Sequence, residues 1–234
     1  KDGEEMVFLA DCLQPICAYL FANSPFYKNK PTGTENVRNV IWEHTDNHRC
    51  RNLIDHGINS PNNLIQNYIE YMMDVIGIFQ LNSANVLEAT DGTLGDRLIN
   101  LYVNGKIREA DIQTALHQIF TNVRFKHLVE VRGADRPPLG YELAPVAFWT
   151  GLLTTEKIRE KALDVVKYWS DGERLSWNKA ALNLDSSQTG PDGKTFGFWN
   201  EWAGELAMEG LFEREKDEES HSFTKPHFKP SLRS

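Results

Sequence analysis

The sequence predicts an α+β domain in which a small antiparallel sheet is backed by helices. Strand-like segments are scattered among longer helical ones, without the regular strand–helix alternation that builds a parallel sheet. The 234 residues suffice for a sizeable core, and 41% hydrophobic with 25% charged residues is typical of a globular protein. We expect one domain over residues 1–212 and a charged, irregular tail over 213–234.

Amphipathic segments predict most of the helices. Apolar residues recur at three- and four-residue spacing, which places them on one helical face, and Pro15 would kink the first helix. Polar residues at the starts act as caps. The predicted helices span residues 4–22, 61–79, a segment capped by Asp91 or Thr93 through Leu101, a segment capped by Asp111 through Phe120, 155–169, 173–182 and 198–212, with an apolar segment at 145–153.

Strand-like segments lie between these helices. Residues 37–45 read as a strand, on which Arg38 and Trp42 would share a face because they are four residues apart. Residues 80–91 are expected to hold one short strand. Asn23 and its neighbours Ser24 and Pro25 end the first helix before the first strand.

The most informative segment runs from Leu128 to Asp135 and reads as a strand that breaks at a glycine. Val129 and Val131 alternate with Glu130 and Arg132, so the aliphatic pair faces one side and the charged pair the other. Opposite charges on one strand face suit a site that handles phosphate, metal or a carboxylate. The alternative is a structural ion pair on a solvated surface, and the residues alone leave the two readings even.

Charge and cysteine content narrow the classes of partner. A net charge of −8 weighs against nucleic acid and membrane surfaces, which favour basic patches. No apolar run approaches the roughly 20 residues of a membrane helix. We therefore expect small molecules or other proteins as partners.

Cys12, Cys17 and Cys50 are an odd, sparse set, which favours reduced thiols in the cytoplasm over a disulfide or redox site.

Three histidines offer a rival interpretation. His44 and His48 are four apart, a spacing that on a helix would suit a zinc site, with His56 nearby. Residues 37–45 look extended, however, and no acidic general base stands between the two histidines. A transition-metal site is therefore the weaker reading.

Four blocks share a recognisable order and spacing over roughly residues 10–212. They are Leu13–Ile16 with Leu20–Phe26, Lys30–Gly33, Arg38 with Ile41–Trp42 and Thr45–Asp46, and Val123–Arg124 with Glu130–Asp135 followed by Pro145–Leu153. Together they resemble the glutamate-cysteine ligases of the plant and proteobacterial type, whose corresponding strand ends in Glu-Met-Arg-Gly-Ala-Asp. The resemblance is to the C-terminal part of that family, so we expect this chain to be a fragment that lacks the N-terminal part.

The resemblance implies a fold similar to glutamine synthetase, with an antiparallel sheet forming a funnel. It also implies ATP and Mg²⁺ as cofactors, and glutamate and cysteine as substrates of an ATP-driven ligation through an acyl phosphate. Such chemistry needs cations and fixed guanidinium groups around the phosphoryl group. The alternative, from another class, is a non-catalytic ligase-like module for binding an amino acid or for assembly. The oligomeric state stays open, and the fragment alone is expected to be inactive.

Each candidate residue in these family blocks has two interpretations, one functional and one purely structural. Arginine suits an α-carboxylate bidentately and tryptophan walls a pocket, although both could be ordinary surface residues. The candidates are Arg132 and Glu130 as catalytic residues, Glu130 also as the metal ligand, and Arg38, Trp42, Asn23 and Ser24 as substrate-binding residues.

Overall fold

The computed structural model describes residues 2–221, and the side chains of residues 2–216. The helices are α1 Asp2–Leu20, α2 Val37–Glu43, α3 Leu64–Asp74, α4 Leu94–Val103, α5 Glu109–Leu116, α6 Ala144–Leu153, α7 Glu156–Val166, α8 Asp171–Ala180 and α9 Phe196–His221, with 3₁₀ turns at Leu53–His56 and Pro191–Gly193. The strands are β1 Phe26–Tyr27, β2 Lys30–Pro31, β3 Phe79–Leu81, β4 Leu87–Ala89, β5 Val123–Phe125 and β6 Val129–Val131.

Helix α1 lies at the centre of the molecule. Every residue from 7 to 18 is buried, including the polar Asp11 and Gln14, so the helix is covered around its whole circumference. It contacts α3, α6, α7, α8 and α9 as well as strands β5 and β6. Pro15 lies inside the helix. The core therefore forms around α1, and the second half of the chain supplies most of its helical partners.

Helices α6 and α9 cross so closely that glycine is required at the contact. A Cβ at Gly151 would lie 2.0 Å from the backbone oxygen of Ala207. One at Gly210 would lie 1.9 Å from the backbone oxygen of Gly151. No side chain fits into such a backbone approach.

The strands form three separate antiparallel hairpins, β1–β2, β3–β4 and β5–β6. In the third hairpin Arg124 lies opposite Glu130. Helices and small antiparallel sheets confirm the predicted α+β class, and the described residues from 144 to 221 are helical apart from turns and loops, as expected. Each described sheet has two strands, so the glutamine synthetase-like sheet stays a prediction.

The predicted strand at 37–45 is wrong, because Val37–Glu43 is helix α2. The β-branched and aromatic residues favour a strand locally, but tertiary contacts decide otherwise. The hydroxyl of Ser24 accepts from the backbone N of Arg38 in the first turn, and Asn39 on this helix is buried. Arg38 and Trp42 still share a face, since residues four apart are also neighbours on a helix.

Other boundaries differ by a few residues. The helix predicted over 61–79 ends at Asp74, and Phe79 belongs to β3. The region 80–91 pairs β4 with β3 instead of holding one strand on its own.

The capping residue of α4 agrees with the prediction, whereas the cap of α5 and the end of α9 differ from it. Thr93 caps α4 by accepting from the backbone N of Asp96, as one of the two predicted alternatives. Arg108 stands at the N-cap of α5, where Asp111 was expected to cap; Asp111 is the third residue of the helix. Helix α9 continues to His221, beyond the predicted start of the tail at residue 213. Residues 222–234 of that predicted tail lie outside the described part.

Candidate active site

The structure brings the six predicted site residues into one connected patch. Asn23 and Ser24 lie in the loop after α1, Arg38 and Trp42 lie on α2, and Glu130 and Arg132 lie on or just after β6. Contacts between these three segments join them directly. We call the patch formed by Asn23, Ser24, Arg38, Trp42, Glu130 and Arg132 the arginine site.

The loop after α1 is held to both other segments. The backbone N of Asn23 donates to a carboxylate oxygen of Asp135 at 3.2 Å, and its side-chain amide donates to the carbonyl of Arg136 at 2.8 Å. The Ser24 hydroxyl accepts from the backbone N of Arg38 at 2.9 Å. These contacts fix α2 against the segment that follows β6.

Arg38 spans from α2 to that segment. Its Nη2 donates to the carbonyl of Arg132 at 2.7 Å, and its Nη1 donates to the carbonyl of Gly133 at 3.3 Å and to Oδ1 of Asn39 at 3.2 Å. Among residues 2–216, Nε and the second Nη2 hydrogen have no acceptor. Nε and Nη2 border the same edge of the planar group, which is the geometry that holds a carboxylate bidentately.

Arg132 lies between two aromatic rings. Its Cζ is 5.3 Å from the centre of the Trp42 ring and 5.5 Å from that of Phe120. Nη1 donates to the carbonyl of Thr121, and Nε lies 3.4 Å from Glu130. Within the described side chains Nη2 has no acceptor. The Cζ of Arg38 lies 6.0 Å from the same Trp42 ring, so two guanidinium groups meet at one indole.

Three cations surround Glu130. Arg124 donates to both carboxylate oxygens, at 3.1 and 3.2 Å, Lys126 is at 2.7 Å and Arg132 at 3.4 Å. Burial would raise the pKa of Glu130, but the hydrogen bonds from Lys126 and Arg124 outweigh it and hold the pKa below its usual value. Glu130 is therefore an ionised anchor for Arg132.

The balance of charge in the arginine site favours an anionic ligand. Burial lowers the pKa of both Arg38 and Arg132, because each guanidinium loses water. The positive charge of Arg124 adds to the effect at Arg132, whereas the carboxylate of Asp135 opposes it at Arg38. An arginine remains charged after such a shift. A bound carboxylate or phosphate would supply the missing countercharge.

Gly133 follows β6, which ends at Val131, and lies very close to helix α1. A Cβ there would lie under 2.0 Å from the side-chain amide atoms of Gln14, which is itself buried. The strand ends two residues before the predicted break, and the packing against α1 explains why position 133 is a glycine.

Arg124, Lys126 and Phe120 contact the arginine site and were not among the predicted site residues. The signal for Arg124 was available in the β5–β6 hairpin, whose register sets Arg124 opposite Glu130. Phe120 lies outside that hairpin, and only the tertiary structure shows that its ring faces Arg132.

The histidines do not form a metal site in the described part of the chain. His44 contacts the carbonyl of Val40 through Nδ1, and His56 contacts the carbonyl of Cys50 through Nε2 while stacking on Tyr71. Within these residues no group of three or more His, Cys, Asp or Glu side chains is placed to hold a metal ion. Cys12, Cys17 and Cys50 are free and buried, as expected for thiols outside a disulfide.

Two partly free guanidinium groups at one aromatic ring form an arrangement whose charge and geometry suit a carboxylate or a phosphate. The chain belongs to the family described as Glutamate-cysteine ligase family 2 (GCS2), whose model matches residues 4–222. This confirms the resemblance found in the sequence.

Curated relatives agree with the family. The chain is 33% identical over 173 residues to glutamate--cysteine ligase A, chloroplastic, of Oryza sativa subsp. indica, covering 69% of this chain and 33% of the relative. It is 33% identical to the chloroplastic enzymes of Nicotiana tabacum and Arabidopsis thaliana, covering 69% of this chain and 31% of each relative. The chain thus spans about a third of the length of the relatives it matches.

None of the helices in the described part is long and apolar enough to cross a membrane.

Proposed function

We propose that this chain forms part of the active site of an ATP-dependent glutamate-cysteine ligase and binds the anionic groups of its substrates. The observation that supports this most is the pair of guanidinium groups at Trp42, each with N–H groups that have no acceptor among residues 2–216. A structural ion pair would use these donors internally.

The proposed reaction has two steps. A γ-carboxylate oxygen of glutamate attacks the γ-phosphorus of ATP and ADP leaves, which gives an acyl phosphate. The amine nitrogen of cysteine then attacks the acyl carbon, phosphate leaves and the nitrogen loses a proton. In this scheme the free edge of Arg38 holds the α-carboxylate of glutamate, with Trp42 as the wall of the pocket. Arg132 stabilises the negative charge on the phosphoryl oxygens.

Asn23, Ser24 and Glu130 complete the proposed site. Asn23 and Ser24 contribute by fixing α2 and the segment after β6, which sets the position of Arg38. Glu130 keeps Arg132 oriented between the rings of Trp42 and Phe120.

The described residues around Glu130 do not by themselves fit Mg²⁺. A hard cation needs several oxygen ligands, whereas both oxygens of this carboxylate already contact cationic side chains. Glu130 as a Mg²⁺ ligand stays a prediction, and we assign no step of the reaction to a metal at this position. ATP and Mg²⁺ as cofactors follow from the family resemblance.

Binding of substrate anions tests the proposal directly. We expect the 234-residue chain to bind glutamate and inorganic phosphate in an NMR titration. Arg38→Ala should weaken glutamate binding about tenfold or more, since a hydrogen bond to a charged group contributes about 1.5–3 kcal/mol, and in a complete ligase it should raise the glutamate KM. Lys106→Ala, a change at an exposed lysine after α4, is the control. Equal glutamate affinity in wild type and Arg38→Ala, with both folded, would refute the assignment.

The chain alone is expected to be catalytically silent. It spans about a third of the length of its relatives, and we propose that it corresponds to their C-terminal part. Without further metal ligands the phosphoryl transfer lacks charge neutralisation. Glutamate-dependent ATP hydrolysis by the purified chain would contradict this expectation.

A non-catalytic ligase-like module is the second candidate function. It is favoured by the same observation, that the chain spans only about a third of the length of its relatives. It predicts that glutamate binds but that joining the chain to the remaining two-thirds of a ligase restores no turnover. The cytoplasm as location and small molecules as the main partners stay predictions.

A further inference from the structure

We propose that Asn39 is a positioning residue, which orients the guanidinium of Arg38 through a one-way relay of buried carboxamide groups. The inference rests on the proposed role of Arg38 as the carboxylate-binding group.

Three hydrogen bonds form the relay. The side-chain amide of Asn36 donates to the carbonyl of Ala181, just after α8, at 2.7 Å. The amide of Asn39 donates to Oδ1 of Asn36, and Nη1 of Arg38 donates to Oδ1 of Asn39 at 3.2 Å. Asn36 is 0% and Asn39 8% exposed, so water does not compete freely for these groups.

The direction of the relay is fixed at its far end. A backbone carbonyl can only accept, so Asn36 must turn its NH₂ group to Ala181 and its oxygen to Asn39. Asn39 must then present its NH₂ group to Asn36. This leaves Oδ1 of Asn39 for Arg38, and Arg38 can only donate. Every amide orientation therefore follows from the single carbonyl of Ala181.

The relay determines which part of Arg38 stays free. Asn39 and the carbonyl of Gly133 together occupy Nη1, and the carbonyl of Arg132 occupies one hydrogen of Nη2. With Nη1 fully used, Nε and the remaining Nη2 hydrogen are the groups left for a ligand. Asn39 thus holds the guanidinium in an orientation that leaves Nε and one hydrogen of Nη2 available.

The proposal predicts that glutamate binding depends on the hydrogen-bonding groups of the side chain at position 39 and not only on its volume. Asn39→Ala removes the acceptor, and we expect the guanidinium to rotate more freely about its Nε–Cζ bond. Asn39→Asp keeps the shape but cannot donate to Asn36, and it adds a charge that pairs with Arg38 and competes with a ligand carboxylate. Both changes should weaken glutamate binding, Asn39→Asp by about tenfold or more.

The test uses the complete 234-residue chain and two readouts. The first is the ¹⁵N NMR signature of the Arg38 guanidinium, which reports its rotation without any ligand. We expect slow rotation in wild type and faster rotation in Asn39→Ala, with no change in Asn104→Ala, a matched control at an exposed asparagine after α4. Unchanged rotation in a folded Asn39→Ala would overturn the proposal.

The second readout is a double-mutant cycle on glutamate affinity with Arg38→Ala. A residue that acts only through Arg38 should lose its effect once Arg38 is absent, so Asn39→Ala should cost nothing further in that background. An equal loss of affinity in both backgrounds would overturn the positioning role. If Arg38→Ala itself leaves affinity unchanged, the proposed function fails, and the rotation measurement still decides the relay. If Asn39→Ala does not fold, the same rotation measurement on Asn36→Asp tests the relay at the residue that accepts from Asn39.

Discussion

The crossing of α6 and α9 and the arginine site differ in the contacts that hold them together and in whether N–H groups are left without an acceptor. At the crossing, backbone meets backbone at Gly151 and Gly210, and buried side chains such as Phe148, Leu152 and Ala207 surround it. In the arginine site, charged groups are held in place by loops and keep N–H groups free within the described residues.

This difference separates stability from function in the molecule. The crossing depends on close packing, which admits no added volume. The arginine site depends on the direction of a few hydrogen bonds between segments far apart in sequence, as from Asn23 to Arg136. Changes in the first region should therefore act on folding, and changes in the second on ligand binding.

Gly210→Ala should have the largest effect, which we expect on the stability of the fold. The new Cβ would lie 1.9 Å from the backbone oxygen of Gly151, so one helix must shift. We expect a loss of about 3 kcal/mol or more in the free energy of unfolding, measured by chemical denaturation. Gly204→Ala on the same helix is the control, because nothing lies within 4 Å of its Cβ. It should be neutral or stabilising by up to about 1 kcal/mol, and equal effects of both changes would contradict the close-packing account.

Arg132→Lys should have a smaller effect that falls on binding. Lysine keeps the charge but loses the planar group that lies between Trp42 and Phe120. We expect phosphate affinity of the chain to fall about tenfold, or about 1.4 kcal/mol, and turnover of a complete ligase to fall as well. The melting temperature should stay close to that of wild type. A large loss of stability with unchanged phosphate binding would place Arg132 among structural residues.

The smallest effect should come from Glu130→Gln, and it should depend on pH. The pKa of Glu130 is held below its usual value in the folded state, so its ion pairs stabilise the fold above the unfolded pKa, about 4.3. This contribution is lost as the pH falls through the folded pKa. The side chain is 29% exposed, so we expect at most about 1 kcal/mol at pH 7. Denaturation of wild type and Glu130→Gln over a series of pH values from 7 downward measures it, and a difference between them that does not shrink as the pH falls would contradict the ion-pair account.

The same variant sharpens the question of the metal. In a complete ligase, a Mg²⁺ ligand at position 130 would make Glu130→Gln weaken the dependence on Mg²⁺, because a neutral amide is a poor ligand for a hard cation. If Glu130 acts only by holding Arg132, the Mg²⁺ dependence should be unchanged while phosphate affinity falls.

Local patterns along the chain were enough to predict the α+β class, most of the helices and the family. Long amphipathic segments and the alternation of Val129 and Val131 with charged residues are local patterns, and the family blocks are read directly from residues. The shared face of Arg38 and Trp42 was also predicted correctly, because a spacing of four gives the same face on a strand and on a helix.

The helical state of residues 37–43 and the groups around each charge depend instead on contacts between segments that folding brings together. The hydroxyl of Ser24 and the hydrogen bond from the Asn36 side chain to the carbonyl of Ala181 fix the start of α2 through contacts with other segments, and such contacts override a local preference. The rings beside Arg132 and the cations around Glu130 likewise come from separate parts of the chain. A sequence pattern records which residues are present and how they repeat, whereas the free N–H groups of Arg38 depend on carbonyls that only folding brings near.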